Sequence, residues 1–102
     1  MKESYRPLYK NLTELVSKTR SKHKLSLRAF ARKLGMTAVF IYDVEKGYRN
    51  PTMRLMARLA YAFKIKPKSV IKEFQDIVEI IFLEEQNIAK TMFMEEYENA
   101  KE

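Results

Sequence analysis

The chain has 102 residues, 46% of them apolar and 32% charged, with a formal charge of +7. It has no cysteine and a single histidine, which excludes disulfides, thiol nucleophiles and Cys/His zinc sites. No apolar run nears the roughly 18 residues of a membrane span, and the N-terminus "MKESYRPLYK" has no apolar stretch behind its charges, so it is not a signal peptide; the expectation is a soluble, cytoplasmic protein with no membrane partner.

Two glycines and three prolines are too few for the turns of a β-rich fold, and no stretch alternates strongly between apolar and polar residues, so the chain reads as all-α. Charge divides it in two. Residues 1–68 carry a balance of +13 and residues 69–102 a balance of −6. This asymmetry separates a part suited to a polyanion from a part with another task.

The first helix is expected from about Pro7 to about Arg20. Pro7 suits a first helical turn, where its missing N–H costs nothing. Leu8, Leu12, Leu15, Val16 and Thr19 fall on one helical stripe. A basic loop, "SKHK", follows; its His23 has no partner residues for a metal site and reads as a surface side chain. Ser26 is the N-cap of a second helix with Leu27, Phe30, Ala31 and Leu34 inward, and Gly35 ends it in the left-handed conformation. Met36 plugs the turn. Thr37 caps a third helix, Ala38 to Lys46, with Ile41 and Val44 inward and Gly47 as its stop. Thr52 caps a fourth, burying Leu55, Met56, Leu59, Ala60 and Phe63.

From Lys68 to the end there is neither Gly nor Pro. Val70, Ile71, Phe74, Ile77, Val78 and Ile81 form a strong apolar stripe, which weakens at "EEQN" and resumes with Ile88, Ala89, Met92, Phe93 and Tyr97. The pattern fits one long helix or two joined near residues 84–87, with two favoured.

The ordered pieces Arg20, "LSLRAFARKLGM", "IYDVEKG", "RNPT" and "LMARLAYAFKI" resemble the phage-repressor helix-turn-helix family, the lambda-repressor-like, XRE or Cro-C1 type, over residues 12 to 66. The resemblance implies an all-α bundle of four to five helices with a C-terminal helical extension. Together with the charge division, it gives a DNA-binding domain, residues 1–68, and an acidic amphipathic segment, residues 69–102, for dimerisation or partner binding. It also implies a partly buried ion pair between Arg20 and Glu45, favoured here as a structural clamp over a phosphate contact for Arg20.

In such a domain the third helix enters the major groove N-terminus first. The resemblance places Thr37, Ala38, Val39, Tyr42 and Asp43 outward as base readers. Ala38 and Val39 can contact thymine methyl groups, Tyr42 can offer its hydroxyl, and Asp43 can accept from cytosine N4 or instead pair with Arg49. The family's frequent Gln is here Leu27 and its polar pair opening the third helix is Ala38-Val39, which counts against bidentate readout. Ser26 and Thr37, at helix N-termini that favour anions, are phosphate candidates together with Lys24, Arg28, Lys46, Tyr48, Arg49, Asn50 and Arg54. Phe40 faces the sugar-phosphate edge or packs under the loop. Arg32, Lys33 and Arg58 read as solvent-facing.

Phe74, Ile77, Val78, Ile81, Phe82, Ile88, Met92 and Phe93 exceed the needs of a small core and suit a dimer or partner interface; the competing expectation is a tail folded back on its own domain. The function expected is that of a sequence-specific regulator of double-stranded DNA, a repressor acting as a homodimer on a palindromic operator. The alternatives are an antitoxin whose C-terminal helices hold a toxin, or a protein-interaction module without specific DNA binding; a toxin or antirepressor is the second-protein partner considered. No catalytic constellation, metal spacing or cofactor motif is present.

Overall fold

The computed structural model describes residues 2–101, with side chains described from residue 6 to residue 94. A 3-10 helix, Lys2–Tyr9, leads into α1 (Lys10–Lys22), followed by α2 (Leu27–Leu34), α3 (Ala38–Glu45), α4 (Met53–Ala62) and α5 (Pro67–Lys101). Every regular element among the described residues is helical, with no strand.

Local chemistry sets most of the helix ends. Ser26, Thr37 and Thr52 each accept a hydrogen bond from the backbone N–H three residues on, at 3.1 Å, which satisfies one of the orphan donors of a first helical turn. Gly35 and Gly47 adopt φ of +67° and +80°. The N–H of the residue after each glycine reaches back five residues, Met36 to Ala31 O and Tyr48 to Asp43 O, the closure typical of a left-handed helix stop. α1 and α4 end by the same closure, Leu25 N–H to Arg20 O and Ile65 N–H to Ala60 O, but with Lys24 and Lys64 in the left-handed position at φ +55° and +58°.

α1 runs on to Lys22 and α3 stops at Glu45, each within two residues of the sequence expectation, and two features differ from it more. The α-helix opens at Lys10, not Pro7, because Pro7 lies inside the 3-10 turns that run into α1; its fixed φ and missing N–H are compatible with that tighter winding. The C-terminal segment is one uninterrupted helix of 35 residues and not two. "EEQN" contains good helix formers, and the apolar stripe weakens there because the helix leaves the globular body.

The core is formed by Leu12 and Val16 of α1, Phe30, Ala31 and Leu34 of α2, Ile41 and Val44 of α3, and Leu55, Met56, Leu59 and Ala60 of α4, closed by Val70 and Ile77 of α5. Met36 packs half-buried against it, and Phe63 lies against Phe30 with ring centroids 5.5 Å apart. The one buried polar side chain among the described residues, Thr19, donates to Leu15 O at 2.6 Å.

α5 thus has two regimes. Its first turns belong to the body: Ile77 is 3% exposed, Phe74 and Ile81 are packed half-buried against the core, and Asn11 of α1 donates to Glu73. These three expected interface residues pack on their own chain, Ile77 fully and Phe74 and Ile81 in part. Beyond Ile81 the helix projects, giving the molecule extents of 65 × 26 × 18 Å. The tail does not fold back. Val78, Phe82, Ile88, Met92 and Phe93 stay exposed, while the side chain of Tyr97 lies outside the described residues.

The left-handed lysines yield a stability test. A side chain at positive φ carries a steric cost that glycine avoids, of about 1 kcal/mol. Lys64→Gly is expected to raise the melting temperature by roughly 4–8 °C for a domain of this size. A lower or unchanged value in a thermal melt would contradict the assigned backbone.

Candidate nucleic-acid interface

α3 is held by its inner face and displayed by its outer one. Ile41 and Val44 are fully buried, whereas Val39 is 70% and Tyr42 42% exposed. Thr37 stands exposed at its N-terminus. Ala38 is half-buried and packs against the core, so it presents only part of its methyl outward. The outer face is therefore led by Val39 and Tyr42.

The last turn of α3 is fixed by Arg20 of α1. Its Nε donates to Glu45 Oε2 at 2.7 Å, its Nη2 to Glu45 Oε1 at 2.9 Å, and its Nη1 to Leu25 O at 3.0 Å. The side chains are 28% and 12% exposed. One guanidinium thereby joins α1, the α1–α2 turn and α3. The hydrogen bond to Glu45 raises the Arg20 pKa above its ordinary value; partial burial opposes this and the Glu45 charge adds to it. Its fork is occupied, so it acts as a clamp and leaves little for a phosphate.

The second carboxylate of α3 is also engaged. Asp43 Oδ2 lies 3.6 Å from Arg49 Nε, and the Asp43 carbonyl accepts from the N–H groups of Tyr48 and Arg49. Arg49 also sits over the Phe40 ring, 5.9 Å from its centroid. Phe40, half-buried against the core, is therefore the platform under the loop. Lys46 lies over the Tyr42 ring at 5.6 Å, and Tyr42 meets Tyr48 edge-on at 6.4 Å. This cluster of two tyrosines with Lys46 and Arg49 covers the C-terminal half of the outer face.

The other expected phosphate contacts occupy the N-terminal ends of helices and the loops before them. Lys24 and Ser26 precede α2 and Arg28 lies in its first turn; all three are exposed. Asn50 is half-buried before the buried Pro51, and Arg54 is exposed in the first turn of α4. Because Ser26 and Thr37 cap their helices with their own hydroxyls, the remaining first-turn N–H groups are the donors left for an anion.

Three residues have roles that the sequence reading did not find. Arg6 donates to Gly47 O at 3.1 Å, bringing a further cation to the α3–α4 loop. Arg58, expected to face solvent, donates from Nη1 to Leu34 O and Gly35 O, both at 3.1 Å, and so caps α2 and holds the turn before α3. His23 is on the surface, as expected, but its ring lies 4.6 Å from Phe63 and its Nδ1 is 2.9 Å from Thr19 O. Among the described residues no group of three or more His, Cys, Asp or Glu could hold a metal, and no helix is long and apolar enough to cross a membrane.

The family model described as Helix-turn-helix matches residues 16–69, just over half of the chain. No curated protein and no solved structure matches it.

The clamp is open to a direct test. Glu45→Ala strands the Arg20 guanidinium in a partly buried site, which costs about 2–3 kcal/mol given its partial exposure. Urea unfolding should show that loss, with a smaller one for Glu45→Gln. A change below about 0.5 kcal/mol, the range of ordinary surface substitutions, would contradict the clamp.

Proposed function

The chain belongs to the lambda-repressor-like helix-turn-helix family of DNA-binding transcriptional regulators, and from that premise we propose that it is a repressor that occupies a near-palindromic operator as a homodimer. The observation that carries the reading is the disposition of α3. Its inner residues are locked in the core, Val39 and Tyr42 point outward, and each of its carboxylates faces an arginine. A helix so mounted can enter a major groove about 12 Å wide without presenting unpaired negative charge to the phosphates.

Recognition on this reading is apolar and shape-based. Val39, with the exposed part of Ala38, suits thymine C5-methyl groups, and the Tyr42 hydroxyl and Thr37 supply the polar contacts. Asp43 shapes the loop through Arg49. The first-turn N–H groups of α2 and α3, with Lys24, Arg28, Lys46, Tyr48, Arg49, Asn50 and Arg54, position the duplex through its phosphates, as most protein–DNA hydrogen bonds do. With few base-edge donors on α3, part of the discrimination comes from the deformability of the operator.

The homodimer reading is supported by the exposed apolar side chains of α5, since a domain of this kind covers one half-site and a two-fold axis doubles it. A second reading, an antitoxin that autorepresses while α5 holds a toxin, draws on the exposed Met92, Phe93 and Met94, because methionine adapts to irregular surfaces.

The phosphate contacts are tested by the double variant Arg49→Ala, Asn50→Ala. Its affinity for duplex DNA should fall, and the slope of log affinity against log salt should become shallower by about one, the loss of one ionic contact. Its mass in solution should not change. Unchanged affinity and slope would contradict the assignment of this loop to the phosphates.

A further inference from the structure

α5 carries two adjacent apolar seams. The first, Val70, Phe74, Ile77 and Ile81, is spent on the chain's own core. The second is shifted by one residue: Ile71, Gln75, Val78, Phe82, Glu85, Ala89 and Met92, at alternating spacings of four and three. That is the spacing of a coiled-coil seam. Its large apolar members are well exposed, Phe82 at 63% and Met92 at 58%, and it runs on past the point where the helix leaves the body.

Resting on the homodimer reading above, we infer that this second seam pairs with the same seam of a second copy, antiparallel, about a two-fold axis beside Phe82. The spacing is close to symmetric about that residue. An antiparallel partner sets Phe82 against its own copy, Val78 against Glu85, Gln75 against the small Ala89, and Ile71 against Met92. One patch on both copies is what a two-fold interface requires. Fully covered, the exposed parts of Ile71, Val78, Phe82 and Met92 bring roughly 1,000 Å² across two copies, just below the range of stable interfaces before flanking residues are added.

Charge chooses the direction. The approach to α5 is basic, with Lys64, Lys66 and Lys68, and its last turns are acidic, with Glu95, Glu96 and Glu98. An antiparallel pair lays each basic start along the acidic end of the other copy. A parallel pair would set acidic end against acidic end, with like charges opposed at the tip of the pair.

The absence of cysteine makes the register directly readable. Full-length Ile71→Cys and Met92→Cys chains would be prepared separately, mixed under mild oxidation and analysed without reductant, and the unsubstituted chain would be measured by sedimentation velocity. The expected result is a dimer for the unsubstituted chain, a cross-linked species in the mixture, and little from either variant alone. Efficient cross-linking of each variant with itself would mean a parallel pair and overturn the inference. A dimer with no mixed cross-link would place the interface on another face and overturn it while leaving the homodimer. A monomer would overturn both, leaving only the helix-turn-helix assignment.

Discussion

The Arg20–Glu45 pair is the constraint on which the geometry of this molecule turns. Ile41 and Val44 bury α3, but two apolar anchors one turn apart leave a short helix free to roll about its contact. The bidentate bond to Glu45, with the third bond to Leu25 O, fixes that roll and ties it to the α1–α2 turn. A forked guanidinium suits this task because both of its bonds must be in plane with the carboxylate. The pair also removes a negative charge from the helix meant to approach phosphates. Arg58 completes the arrangement from the other side by holding Leu34 O and Gly35 O, so that the turn entering α3 is as fixed as its end.

The architecture joins two electrostatic characters in one body. The basic helices and the acidic helix are not separated by a linker, since Val70 and Ile77 of α5 complete the core that Leu12, Phe30 and Leu59 begin. α5 is therefore part of the domain for its first turns and an outrigger afterwards. This places the apolar surface of residues 82–94 away from the body, where its acidic neighbours are kept off a polyanion by charge. The same design makes α5 a rigid spacer, about 1.5 Å long per residue, whose pairing would set the distance between two reading heads.

Much of this was legible in the sequence, and the reason is locality. A hydroxyl before an apolar stripe reports its own hydrogen bond three residues on, so Ser26, Thr37 and Thr52 are legible as caps from the sequence alone. The stripes of α2, α3 and α4 named their buried members for the same reason. What was not legible lies in contacts between distant segments. Arg58 and Arg6 bond to carbonyls 23 or more residues away, and no local pattern distinguishes them from solvated arginines. Lys24 and Lys64 occupy positions where glycine signals a helix stop, so those stops carried no marker. The continuity of α5 is not legible, because a fading apolar stripe looks like a break when it only marks where the helix leaves the core. In the interface, Val39 and Tyr42 were read outward from the helical period, but the half-burial of Ala38 and the seating of Arg49 over Phe40 depend on how the α3–α4 loop packs.

In the function proposed above, α3, poor in base-edge donors, still distinguishes one duplex from another. Fluorescence anisotropy tests it most directly: the full chain titrated against duplex DNA from upstream of its own gene, beside a scrambled duplex of equal length and composition, at two salt concentrations. The account predicts a preference of about a thousandfold or more for the native duplex, as specific regulators show, persisting at the higher salt. Equal binding to both duplexes, lost together as salt rises, would show a basic face that holds phosphates and reads nothing, and would contradict the account.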